Sequence, residues 1–434
     1  MNGAPDRALH GDAHAAALAR AYRAVRGRTD TLVRGLTPED CQVQSMADAS
    51  PVKWHLAHTS WFFETLVLEE FSAAAGFAFR PFREPFRVLF NSYYNGIGAA
   101  HARPERGLLS RPSLEEVLRY RADVDVRVGE LLAAPGLGQR LPSALERIEL
   151  GLHHEEQHQE LILTDLKHHF SRNPLEPALR APLEAGAARA APMDFVPCAG
   201  GLCEAGHAGG SFSFDNERPR HRVWLEPFEI GNRLVTNGEF RAFIEEGGYR
   251  RPELWLSDGW DAVRREDWHA PLYWHRDGSC YTLAGRRDLA PAEPVCHVSY
   301  FEADAYARWA GARLATEFEW EAAAQGLAPA AQGGNFLDSG RFHPRAAPAP
   351  GAGVVAPAQL LGDAWEWTAS AYLPYPGFRA ASGAPGEYNG KFMVNQMVLR
   401  GGSCATPAAH IRTSYRNFFP PGARWQFSGI RLAR

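Results

Sequence analysis

The stretch Gly151 to His169, GLHHEEQHQELILTDLKHH, constrains this chain more than any other. Leu152, Leu161, Ile162, Leu163 and Leu166 supply apolar positions, and no proline or glycine interrupts the run from Leu152 onward, which predicts an amphipathic helix. Residues four apart on a helix stand one above the other, so His154 and His158 point the same way and two imidazoles can share one ion. That is half of a metal site. In a chain with 17 histidines, on the order of one such pair arises by chance, and a solvated histidine-rich face has the same pattern. A third ligand and a substrate pocket must come from elsewhere.

A chain of 434 residues predicts two or three domains, and 45% hydrophobic with 22% charged residues can fill real cores. A net charge of -4 and the lack of any basic run argue against nucleic acid as a partner. The N-terminus carries no positive head followed by an apolar core, and no apolar stretch reaches membrane-spanning length, so the expectation is a cytoplasmic protein with no membrane partner. Its oligomeric state is not legible. Six cysteines, Cys41, Cys198, Cys203, Cys280, Cys296 and Cys404, show no zinc-ribbon spacing and read as reduced packing residues.

Residues 13 to 35 carry apolar positions at helical spacing and predict a long first helix. Thr37-Pro38 and Ser50-Pro51 each offer an N-cap followed by proline at the first helical position, so a second strong helix is expected from Pro51 over VKWHLAHTSWFFETLVLEEF. His55 and His58 lie three apart on it, with His58 on the face of Trp54, Phe62 and Thr65. The segment 91 to 112 breaks the helical period with glycines and prolines while clustering Tyr93, Tyr94, His101, Arg103 and Arg106, which suits a loop that receives a carboxylate-bearing substrate. Residues 113 to 134 and 141 to 170 predict two further helices, completing a four-helix arrangement in which inward side chains of different helices can build a metal site.

Past Phe170 the period fails, and the chain is divided into residues 1–175, a linker at 176–192 rich in Ala and Pro, and 193–434. The last part has short segments, many aromatics and turn signals, with short helices expected at Asn237 to Glu245, Tyr300 to Gly311 and Glu317 to Ala324. Residues 325 to 358 read as irregular surface loop.

FDNERPRHRVWLEPFEIGNRLVTNGEFRAFIEEGGY (Phe214 to Tyr249), RLATEFEWEAAA (Arg313 to Ala324), WEWT at Trp365 to Thr368 and LRGGS at Leu399 to Ser403 resemble the formylglycine-generating-enzyme type of domain, which is C-type-lectin-like. That fold carries unrelated chemistries, and the copper-binding cysteine pair of formylglycine-forming enzymes does not appear in RTSYRNFFPPGARWQFSGIRLAR, so formylglycine formation is disfavoured. A DinB-like four-helix domain followed by this second domain resembles the ergothioneine-pathway sulfoxide synthases and the selenoneine synthases of the same architecture. The resemblance covers the whole chain. It implies an α+β protein of two domains, the first a DinB-like helical bundle and the second a lectin-like domain with much irregular structure.

In that family three histidines hold a non-haem iron, and by resemblance they are His58, His154 and His158, with Glu64 and Glu155 not bound to the ion. Three imidazoles on one side leave positions for a thiolate or selenolate, for the imidazole of hercynine and for oxygen, making Fe(II) the cofactor and O2 a co-substrate. Gln157 and Asn417 resemble the residues that receive hercynine, and Tyr93 and Tyr94 resemble the active-site phenols of the branch that lacks a tyrosine in its second domain. A phenol beside activated oxygen can give up a proton, turning the reaction away from simple sulfur oxidation. Arg103 and Arg106 are candidates for the polar head of the second substrate, with Asp48 for an ammonium group.

Members that use gamma-glutamylcysteine carry Trp-Asp after the substrate asparagine. Here Asn417 is followed by Phe418 and Phe419, which cannot neutralise an ammonium, so cysteine or a selenosugar is expected instead. Phe418 and Trp425, with Asn417, are expected to form the far wall of an active site between the domains and to meet the trimethylammonium group through cation-π attraction. A zinc hydrolase and a non-enzymatic metal- or glycan-binding lectin-like protein are the competing readings.

Overall fold

The structure, a computed structural model, describes the backbone of residues 4–183, 190–325, 333–348 and 357–434, with side chains from residue 11. The middle of the expected linker, 184–189, and parts of the expected irregular loop, 326–332 and 349–356, lie outside the described residues. The chain divides into two compact units, one running to His169 and including Ala381–Tyr388, the other comprising Phe170–Ala380 and Asn389–Arg434.

The first unit is built on α1 (Ala4–Val33), α3 (Val52–Phe63), α6 (Leu114–Leu132) and α8 (Pro142–Ser171), with short helices α2 (Pro38–Gln42), α4 (Glu69–Ala75), α5 (Phe86–Leu89) and α7 (Leu137–Arg140). The first helix begins nine residues before the expected start, at Ala4 rather than residue 13. Thr37 caps α2 as its sequence predicts: the hydroxyl accepts from the Asp40 N–H and the Asp40 carboxylate accepts from the Thr37 N–H. Ser50 does not cap α3. Its hydroxyl accepts from Arg106 and its N–H donates to Asp165, so Pro51 opens the helix without a side-chain cap.

Every residue of α3 is buried, which explains its run of aromatics and makes its histidines interior groups. A single π-turn, Glu64–Leu68, carries α3 into α4. Helix α8 packs tightly against α3 at Gly151, where a Cβ would come within 2.5 Å of the Phe63 ring. The glycine inside α8 thus fixes how near the two histidine-bearing helices can come.

Among the described residues of the second unit, strands form two four-stranded sheets, ordered β1-β4-β12-β7 and β10-β9-β8-β11, and two ribbons, β2-β3 and β5-β6. The strands run β1 (Phe195–Cys198), β2 (Gly201–Ala205), β3 (His221–Leu225), β4 (Phe228–Gly231), β5 (Ser279–Thr282), β6 (Gly285–Asp288), β7 (Arg313–Leu314), β8 (Trp365–Ala371), β9 (Met397–Arg400), β10 (Asn417–Phe419), β11 (Ser428–Gly429) and β12 (Leu432–Ala433). Helices α9 (Asn237–Glu245), α11 (Tyr300–Trp309) and α12 (Glu317–Ala323) each start from a Thr or Ser capping box closed by a glutamate three residues on, and α10 (Ser257–Glu266) lies between α9 and α11 in sequence.

Strands this short leave much backbone outside any ladder. Buried arginines take up part of it: Arg416 pairs both ways with Glu317 at 2.8 and 2.9 Å and also donates to the carbonyls of Asn216 and Leu373. Arg431 does the same with Glu366 and the carbonyls of Gly231 and Ala358. No helix among the described residues is long and apolar enough to cross a membrane.

Candidate metal centre

Helix α3 supplies His58 and α8 supplies His154 and His158, and one nitrogen from each lies within 4.8 Å of the other two. All three side chains are buried, at 1%, 3% and 7% exposure. Burial presses each imidazole below its ordinary pKa, that of His154 to about 3, so the cluster holds neutral rings with lone pairs to share.

The hydrogen bonds around the rings decide which nitrogen each offers. His58 Nδ1 lies 2.6 Å from the Phe90 carbonyl, which can only accept, so the proton sits on Nδ1 and the lone pair on Nε2. His55 Nε2 lies 3.0 Å from the Asp165 carboxylate and therefore donates. The other nitrogen of His55 faces His158 Nδ1 at 2.8 Å, so the nitrogen that His158 has left for an ion is Nε2.

His154 Nε2 stands 3.2 Å from His58 Nε2, while its own buried Nδ1 has no hydrogen-bond partner among the described residues. Two nitrogens bound to one ion at about 2.1 Å stand about 3.0–3.4 Å apart. The donor set fits a divalent transition metal: neutral imidazoles, matched spacing, and two rings held from behind by Phe90 and by the Asp165–His55 chain.

Both neighbouring carboxylates are engaged by other partners. Glu155 accepts from Arg26, Arg121 and Thr29 at 2.7–2.9 Å; burial raises its carboxyl pKa, and the two arginines overcome that and hold it at about 2. Glu64 accepts from Tyr120, Arg127 and the Phe82 N–H.

An aromatic wall backs the cluster. Trp54 stacks on His58 at 4.5 Å, and the Arg106 guanidinium lies 3.3 Å above the Trp54 ring centre. Arg106 is 2% exposed, donates to Ser50, and forms no ion pair with a carboxylate among the described residues. Burial, with Arg103 adding to it, lowers its pKa to about 8. Tyr94 is fully buried, and Tyr93 stacks on it at 4.7 Å. Arg103 and Asp48 are exposed, and Gln157 is half-buried beside His158 on α8.

Two family patterns cover the chain, the DinB superfamily over residues 21–162 and the sulfatase-modifying factor enzyme 1-like domain over 182–354 and 352–434. Over nearly its full length the chain is 35% identical to a hercynine oxygenase of Mycolicibacterium thermoresistibile, with 97% of this chain and 95% of that protein covered. The chain belongs to the hercynine oxygenase family. A hercynine oxygenase of Mycolicibacterium smegmatis is 37% identical, covering 66% of this chain and 71% of its own length. A formylglycine-generating enzyme of Streptomyces coelicolor is 36% identical over 34% of this chain and 54% of its own.

Of the residues the hercynine oxygenase resemblance assigns, His58, His154, His158, Gln157, Tyr93, Tyr94 and Arg106 all belong to the first unit. Asn417, Phe418, Phe419 and Trp425 belong to the second. There Phe418 stacks on Tyr372 at 4.0 Å and 10°, Phe419 meets Trp425 edge-on at 6.0 Å, and Asn417 Oδ1 accepts from the Phe418 N–H.

Sequence reading missed three groups at the histidine cluster. His55 has no role assigned by its spacing from His58, Asp165 does not enter the sequence reading, and Tyr388 lies far away in sequence. The first two were findable: Asp165 is seven residues, two helical turns, beyond His158 on the same face.

Proposed function

We propose that this protein is a non-haem iron(II)- and O2-dependent synthase that joins sulfur or selenium to C2 of the hercynine imidazole, as a step in ergothioneine or selenoneine synthesis. The observation that carries the reading is the buried His58–His154–His158 cluster in a chain that matches a hercynine oxygenase end to end. Iron bound there would supply a site where O2 and a chalcogen anion are activated together.

The chain's own groups do the rest. Three neutral ligands leave the positive charge of the ion uncancelled, which favours an anionic thiolate or selenolate. Arg106, buried and in no ion pair among the described residues, is assigned to the polar head of that second substrate, with exposed Arg103 and Asp48 for its remaining polar groups. Gln157 and Asn417 are assigned to hercynine, and Phe418 and Trp425 to its trimethylammonium group.

Tyr94 and Tyr93 are the proton donors. Burial, with Tyr93 and Tyr388 adding to it, raises the Tyr94 pKa, so the phenol keeps its proton at neutral pH until the reaction draws it off.

By the family resemblance Phe419 takes the position of the aspartate that answers a dipeptide's ammonium, and its apolar side chain favours cysteine or a selenosugar over gamma-glutamylcysteine. The test is an iron-loaded enzyme given hercynine and O2 with cysteine, gamma-glutamylcysteine or a 1-seleno-sugar. Turnover of cysteine or the selenosugar is expected, and efficient turnover of gamma-glutamylcysteine alone would refute the donor assignment.

A further inference from the structure

Residues Ala381–Tyr388, more than two hundred positions past the helices in sequence, belong to the first unit, and two consecutive side chains tie the segment there. The Glu387 carboxylate accepts the backbone N–H groups of Asn95 and Gly96 at 3.0 and 2.7 Å. Those amides directly follow Tyr93 and Tyr94. A Cβ at position 96 would stand 3.0 Å from Glu387 Oε1, a tight contact that the absence of a side chain there relieves.

Tyr388 is 5% exposed and donates its hydroxyl to Gln157 Oε1 at 2.5 Å. Its ring meets the ring of His154 edge-on, 5.8 Å between centres.

A phenol bonded to the carboxamide, with its ring against His154, holds the Gln157 side chain in place, and that bond is lost when the hydroxyl is removed.

We propose that Glu387 and Tyr388 are positioning residues for the hercynine reaction, Glu387 fixing the backbone that carries Tyr93 and Tyr94, and Tyr388 holding the Gln157 carboxamide that is assigned to hercynine. This rests on the assignment of hercynine as substrate. Two adjacent side chains on one segment thus tie the stretch that carries the phenols to the helix that carries His154 and His158.

Tyr388→Phe retains the ring and removes only the hydroxyl. Expected are unchanged iron content, kcat within about threefold, a KM for hercynine raised about tenfold, and an unaltered KM for the chalcogen substrate. The double variant Gln157→Ala/Tyr388→Phe should bind hercynine no more weakly than Gln157→Ala alone, because the phenol acts through the amide.

Glu387→Ala should speed hydrogen exchange at the amides of Asn95 and Gly96, with Glu387→Gln intermediate, a readout that needs no substrate. An unchanged hercynine KM in Tyr388→Phe, additive losses in the double variant, or unaltered amide exchange in Glu387→Ala would overturn the proposal. Failure of the substrate assignment is distinct: the iron-loaded parent enzyme would then not bind hercynine at all, which overturns the role of Tyr388 while the exchange measurement still decides that of Glu387.

Discussion

His55 and His158 face each other through their Nδ1 atoms at 2.8 Å, and the far nitrogen of His55 rests on Asp165 at 3.0 Å. This carboxylate–imidazole–imidazole chain holds Nε2 of His158 toward the cluster, as a carboxylate does behind many metal-bound histidines. His55→Phe is therefore expected to lower metal affinity about 10–100-fold with the helices intact, and Asp165→Asn to do so less severely. Competition against a chelator of known affinity measures it, and an unchanged affinity in His55→Phe would count against the chain.

Arg106 is buried and forms no ion pair among the described residues, so the pull of Asp165 offsets only part of its desolvation. Arg106→Met keeps length and apolar contact with Trp54 while removing the charge. The variant should be as stable as the parent or more so, by on the order of 1 kcal/mol, and should lose most of its affinity for a carboxylate-bearing second substrate. Thermal unfolding and the KM for cysteine are the readouts; a clearly destabilised protein with unchanged KM would contradict the assignment.

Acid stability of the second unit should depend on Glu217. This carboxylate is fully buried; burial raises its pKa, and Arg412 with Ser414 and the Phe214 N–H overcome that and depress it. A depressed carboxyl stabilises the fold fully above its unfolded value, about 4.3, and the contribution disappears as pH falls through the lower folded value. Glu217→Gln should cost about 3 kcal/mol or more at neutral pH, because it leaves Arg412 unanswered, and the difference from the parent should shrink below about pH 4. Urea unfolding across pH 3–7 checks both the size and the sign.

Much of this was legible in the sequence because periodicity and capping are local. The HxxxH spacing on α8, the aromatic run of α3 and the Thr316–Glu319 box each announce their structure within a few residues. Three histidines could be joined into one cluster only through family resemblance, since nothing in the spacing says that α3 faces α8 at Gly151. Ser50 illustrates the opposite error. Its Ser-Pro pattern is a sound local signal for a cap, yet the buried Arg106 and Asp165 claim its hydroxyl and its N–H. The partnership of Tyr388 with Gln157 spans 231 positions, and no local pattern encodes it.

The central claim is bond formation at C2 of hercynine, and hercynine carrying deuterium at C2 tests it most directly. With iron-loaded enzyme, O2 and cysteine or a selenosugar, the account predicts a coupled product that has lost the deuterium, with no product from His154→Ala. A coupled product that keeps the deuterium, or hercynine left intact by a fully iron-loaded enzyme with every donor, would contradict it.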